Sequence, residues 1–166
     1  SGDTIALTSG AKTSGFGKIG QVVQGSQSSV VTLTSTSFTD TGLSASITPT
    51  STSSKILIHT YAQFGVNDSA NGGGDTFIAL LRGTTKIGGH GNVETDAFGM
   101  INESGGRYES RYLSILYLDS PATTSATTYK LQFRNRNTSK TAYFNRRGGD
   151  TLESGQSYIT LMEILD

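Results

Sequence analysis

The stretch Gly42–Gln63, GLSASITPTSTSSKILIHTYAQ, decides the fold. Leu43, Ala45 and Ile47 alternate with Ser44, Ser46 and Thr48, as in a strand with one buried face. Pro49 has no N–H to give to a ladder, so the first strand stops there. A run of Ser and Thr follows, and Lys55 opens a second alternating segment. In it Ile56, Ile58, Thr60, Ala62 and Phe64 share one side, and Leu57, His59, Tyr61 and Gln63 share the other. Two strands around a polar loop set the class: all-β.

Working outward, the same period recurs. Ile19–Gln24, Val30–Leu33, Thr76–Arg82, Phe98–Ile101, Tyr112–Leu118, Tyr129–Arg134, Ala142–Asn145 and Ser157–Leu165 all read as strands, with Ile87 closing a short one. Phe38–Gly42 reads as a turn, and Asn67–Asp75 (NDSANGGGD) and Gly88–Arg111 as loops. Tyr112–Leu118 is nearly continuous in its apolar character, which predicts a central strand covered on both sides. No helix is convincing and no repeat of fixed period is present. The expectation is an antiparallel β-sandwich of about eight to ten strands over residues 18–166. It is preceded by an extended arm, residues 1–17, in which Ile5, Leu7 and Phe16 are the apolar residues able to grip a neighbour.

Composition bounds the function. The chain has 166 residues, a formal net charge of zero, 16% charged residues, 21 Gly and no Cys. Ser and Thr make up roughly a quarter of it, well above ordinary usage, so hydroxyls rather than Lys and Glu meet the solvent. A disulfide framework and a Cys-based zinc site are excluded. Zero net charge makes no case for nucleic acid, no apolar run is long enough for a membrane-spanning helix, and the N-terminus lacks the pattern of a signal peptide.

Sites for chemistry are sparse. His59 sits mid-strand and His90 in a Gly-rich loop, too few for a metal site. No GxSxG elbow accompanies the many serines, and neither NGGGD nor GGHGN is a phosphate loop. A glycan hydrolase needs two placed carboxylates; Glu103 and Glu109 are available, but their spacing does not recommend them. No catalytic, cofactor-binding or metal-binding residue is expected. The most polarised patch is Lys130, Arg134, Arg136, Lys140, Arg146 and Arg147, a candidate contact for an anion or acidic partner. The plainer expectation pairs these cations with Glu94, Asp96, Glu103 and Glu109.

The last strand is apolar on both sides, with Tyr158, Thr160, Met162 and Ile164 opposite Ile159, Leu161, Glu163 and Leu165. A two-sheet sandwich needs one apolar face per strand. The surplus predicts a second covered face, most simply by another copy of the chain. Tyr158, Thr160, Met162, Ile164, Tyr112 and Leu116 are the expected interface.

Four segments in order carry a family resemblance: KIGQVVQ (18–24), TSTSFTDTGLSASITPTSTSSKILI (34–58), FIALLRGTTKIG (77–88) and YITLMEI (158–164). Together they resemble a module of tailed-bacteriophage virion proteins, especially those of cyanophages, found in small capsid-surface proteins and at the C-terminal ends of fibres. The resemblance implies a jelly-roll-like sandwich that trimerises, similar to the tumour-necrosis-factor and complement-head modules. It also implies a virion role without catalysis or cofactors. The expectation is a homotrimeric capsid decoration (cement) protein, partnered by itself and by the major capsid protein or another virion protein. The alternative is a tail-fibre or receptor-binding tip that contacts host surface glycan through the two long loops. Neither reading involves nucleic acid or membrane.

Overall fold

A computed structural model describes residues 19–67, 74–89, 97–103, 110–149 and 153–165. The arm with Ile5, Leu7 and Phe16, the site of His90, and most of both long loops lie outside these residues. The described chain is all-β, with eleven strands and no helix. They are β1 Ile19–Gln27, β2 Val31–Leu33, β3 Thr39–Ile47, β4 Lys55–Asn67, β5 Gly74–Arg82, β6 Thr85–Ile87, β7 Gly99–Glu103, β8 Arg111–Asp119, β9 Thr127–Asn135, β10 Thr141–Phe144 and β11 Ser157–Ile164.

The eleven strands form two antiparallel sheets and occupy eight lines. β11 pairs with β4 over Lys55–Tyr61, and β10 pairs with the same edge over Phe64–Asn67. β1 and β2 follow one another beside β11 and β10, and β6 and β7 share one edge of β5. The first sheet therefore reads β1/β2, β11/β10, β4, β8, and the second β3, β9, β5, β6/β7. Numbered in chain order, the lines run 1-8-3-6 in one sheet and 2-7-4-5 in the other. Between lines, only the tight β5–β6 turn stays within one sheet; every other connection from one line to the next crosses between sheets.

Alternation builds the core. β3 and β9 bury every second residue, and Leu43, Ile47, Ile56, Ile58, Ile78, Leu80, Leu131, Ile159 and Leu161 fill the space between the sheets. At one end Phe64, Phe133 and Phe144 meet with centroids 5.2–6.4 Å apart. At the other, the Tyr129 hydroxyl donates to Asp119 at 2.7 Å, and Arg82 reaches both oxygens of the same carboxylate at 3.0 Å. Burial, the hydrogen bond to Asp119 and its negative charge push the Tyr129 phenol far above its ordinary value, so it stays a donor.

Two expectations are corrected. The turn expected at Phe38–Gly42 is instead strand from Thr39, interrupted by a bulge between Asp40 and Ser44. Gly42 there has φ 80°, a conformation that spares the ladder from a turn. β8, expected as a central strand, pairs only with β4 among the described residues and lies at the edge of its sheet. Its apolar residues are continuous in sequence because both of its faces need them, as the outer surface described below makes plain.

The Pro49 loop is latched by Glu163, which is fully buried on the core side of β11. Its Oε1 accepts from the Thr50 N–H at 2.6 Å and the Thr50 hydroxyl at 2.7 Å, and its Oε2 accepts from Gln21 Nε2 at 2.7 Å. Gln21 also donates to the Thr48 carbonyl at 2.7 Å. Burial opposes the charge, but these bonds outweigh it. Ser54 adds a weaker attraction without reaching hydrogen-bond geometry, and the carboxyl titrates at about 2. A depressed carboxyl stabilises the fold above its unfolded value near 4.5, and that contribution drains as the pH falls towards about 2. Glu163→Gln keeps the shape but sets an amide N–H against one of the donors. It is expected to cost about 2 kcal/mol at neutral pH, and to flatten the loss of stability below pH 4.5, read from urea midpoints across pH.

Candidate interaction surface

The outer side of the first sheet is organised by register. Residues opposite one another across the strands form rows: Val22, Met162, Leu57, Leu118; then Gln24, Thr160, His59, Leu116; then Ser26, Tyr158, Tyr61, Ser114. Tyr112 follows beside Gln63. Among the described residues eight large hydrophobic side chains are exposed, and six of them lie here: Ile19, Val22, Tyr61, Tyr112, Leu116 and Leu118. Leu116 is 66% exposed and Val22 57%. Strand and row spacings give a face of roughly 15 by 20 Å between its outermost Cα atoms. Apolar and aromatic side chains make up most of it, with Gln24, Thr160, His59, Ser26 and Ser114 set among them.

Its polar groups mostly bond one another. Gln24 Nε2 donates to the Thr160 hydroxyl at 3.0 Å, and His59 Nε2 shares a 3.2 Å hydrogen bond with the Ser114 hydroxyl. Tyr61 and Tyr112 stack at 4.9 Å with their planes 13° apart. Among the described residues, no carboxylate projects from this face. All six residues expected at an interface are brought together on it: Tyr158, Thr160, Met162 and Ile164 on β11, half-buried, and Tyr112 and Leu116 on β8, exposed.

The far half of the same face is closed by the chain itself. The segment after β10 lies across Gly65, where a Cβ would stand only 2.5–2.6 Å from backbone atoms of Arg146, Arg147 and Gly148. Asn145 anchors the segment in a left-handed conformation, φ 59°. Its side-chain amide donates to the Gln27 and Ser29 carbonyls, and its oxygen accepts from the Ser157 hydroxyl. Gln63 is buried beneath the segment. Closure on one half and exposure on the other confine the open apolar surface to the rows above. This division had no signal in the periodicity, because Gly65 and Gly148 carry no side chain to read.

The outer side of the second sheet differs. Phe77, Ala79 and Leu81 point outward yet are buried. Long side chains on the adjacent strands shield them: Arg134 beside Phe77, Gln132 beside Ala79, Lys130 and Lys86 beside Leu81. Phe38 closes over them, with Lys86 Nζ 4.0 Å from its ring centroid and Arg134 at 5.4 Å; Arg134 also lies 4.5 Å over Phe77. Asp40 accepts from Lys130 at 2.9 Å and Gln132 at 2.6 Å. These bonds overcome the opposing effect of burial and hold its carboxyl below the usual range.

The cations of the polarised patch are thereby spread over the molecule. Arg136 pairs with Asp75 at 2.7 Å and Arg147 with Glu153 at 3.1 Å, while Arg146 sits 4.0 Å over Tyr143. Lys140 lends its carbonyl to buried Asn135. Asp40, Asp75 and Glu153 are partners that sequence reasoning missed, since each is distant in sequence or in a loop. The expected partners Glu94, Asp96 and Glu109 lie outside the described residues, as does the side chain of Glu103.

No cluster of three or more His, Cys, Asp or Glu able to hold a metal occurs among the described residues. A groove of about 250 Å³ beside β7 and β8 is lined by Met100, Ile101, Arg111, Tyr112 and Leu113, which include no acid–base pair. Comparison of the chain with protein-family models and with curated proteins finds no match. The contact at Gly65 is testable: Gly65→Ala forces backbone apart and is expected to destabilise the subunit by at least about 2 kcal/mol, measured by urea denaturation.

Proposed function

We propose that the chain is a non-enzymatic structural subunit of a bacteriophage particle, assembling as a homotrimer that decorates and cements the head. The observation that carries the self-association is the open apolar face, in contrast to the shielded face of the second sheet. A solvent-facing sheet surface normally carries polar residues; here Leu116, Leu118, Val22 and Tyr61 meet water until a partner covers them. The winding 1-8-3-6 over 2-7-4-5 we read as a jelly roll of eight lines. The virion assignment rests on the resemblance of residues 18–24, 34–58, 77–88 and 158–164 to the phage module. Low charge and abundant hydroxyls suit a subunit packed among others at high local density.

In this role three copies bury the face of the first sheet against one another, and each trimer docks on the major capsid protein or another shell component. Shell binding then stabilises the assembled state by mass action. The alternative, a fibre tip that binds host glycan, uses the same trimer and differs in its place on the particle.

Leu116→Asp tests the interface. With the side chain already solvent-exposed, the folded subunit changes in stability by no more than about 0.5 kcal/mol. A carboxylate placed in the interface raises the dissociation constant by about 100-fold or more, read by sedimentation equilibrium. For the role itself, particles stripped of the protein are expected to open at a lower temperature than complete ones and to recover on adding it back. Equal heat resistance sinks the cement role, and labelling confined to the tail selects the fibre reading.

A further inference from the structure

We propose that His59 makes the assembly acid-sensitive, so that the subunits associate at neutral pH and separate, still folded, in mild acid. This rests on the self-association proposed above and concerns the regulation of that same face.

His59 stands at the middle of the open surface, with Leu57 and Tyr61 beside it on β4, Thr160 across on β11 and Leu116 across on β8. Its Nε2 is engaged by the Ser114 hydroxyl, a neutral partner that both protonation states accept. No carboxylate faces it from β1, β11, β4 or β8 among the described residues. The charged groups nearby are peripheral: Lys55 at the start of β4, Arg111 at the start of β8, and Glu153, which pairs with Arg147 on the segment covering the far half. The remaining titratable neighbours on the face are Tyr61, Tyr158 and Tyr112.

Imidazole is the one side chain that ordinarily changes charge between about pH 5 and 8. In the free subunit His59 is exposed, and water stabilises its charged form. In the assembly the neighbouring copies displace that water, and the faces that meet around the threefold axis bring no carboxylate among the described residues. A charged imidazole there is disfavoured without a partner. Separation therefore takes up protons, up to one per subunit, and acid drives it. For three subunits the association constant falls by up to about 1000-fold for each pH unit once the free imidazole is charged. The Glu163 latch lies outside this range, since its contribution to the fold is lost only as the pH falls below about 4.5.

The experiment is sedimentation velocity of the full chain from pH 8 to 5, with circular dichroism at each pH, on the wild type, His59→Gln, His59→Leu and His90→Gln. Support is a wild type that is assembled at pH 8 and a folded monomer at pH 5, with both His59 variants assembled at pH 5 and His90→Gln behaving as wild type. A wild type assembled at both pH values overturns the proposal. So do His59 variants that separate with the wild-type profile or are already monomeric at pH 8, and so does a His90 variant that loses the response. A wild type monomeric at pH 8 refutes the self-association itself, an outcome distinct from loss of the switch.

Discussion

The double-edged pairing of β4 organises this subunit. Along one edge it bonds β8 from Ile56 to Phe64, and along the other it bonds β11 and then β10. Once β4 is in register, three other strands have their faces assigned, because a shift of one residue would turn every side chain over. Ile56, Ile58, Thr60, Ala62 and Phe64 go to the core, and Leu57, His59 and Tyr61 go outward with the apolar rows of β8 and β11 beside them. Core and interaction surface are thus two readings of one ladder. A change that loosens β4 would be felt on both.

That ladder was legible in the chain because it is written in side chains at period two. The two strands flanking Pro49, the polar and apolar faces of β3, and the two apolar sides of β11 all follow from alternation alone. So does the grouping of Tyr158, Thr160, Met162 and Ile164 on one surface. What stayed hidden depends on contacts distant in sequence. Glu163 looks like one polar residue in an apolar strand, and its role becomes visible only when Thr50 and Gln21 arrive beside it. Tyr112–Leu118 looks like a strand buried on both sides because periodicity cannot tell cover by a second sheet from an open apolar face. The pairing of Arg136 with Asp75 and of Lys130 with Asp40 joins charges 61 and 90 residues apart in the sequence. A sequence in which the basic residues cluster and the acidic ones do not gives no hint of those pairs.

The two outer faces show how a chain with few charges manages its surface. On the second sheet, four long polar side chains and Phe38 shield an apolar floor with their stems, so that a small number of cations covers Phe77, Ala79 and Leu81. On the first sheet most side chains in the rows are short or apolar, and the one long polar side chain there, Gln24, is bonded to Thr160, so Leu116 and Val22 stay exposed. The difference lies in the reach of the side chains rather than in the hydrophobicity of the strands. Each sheet carries apolar residues on both sides; the second is covered by its own long side chains, and the first is covered by the chain only over its far half.

The break between β10 and β11 has a consequence of another kind. Both strands lie on the same edge of β4, each with its own ladder, and the chain leaves that edge after Phe144 and rejoins it at Ser157. Asn145 and Ser157 stitch the two ends together, and the Arg146–Ser154 bridge closes the base of the excursion. Chain length beyond that bridge is decoupled from strand register, since added residues lengthen a closed loop at only a small entropic cost. Added length in this excursion would therefore leave the register of β10 and β11 on β4 unchanged.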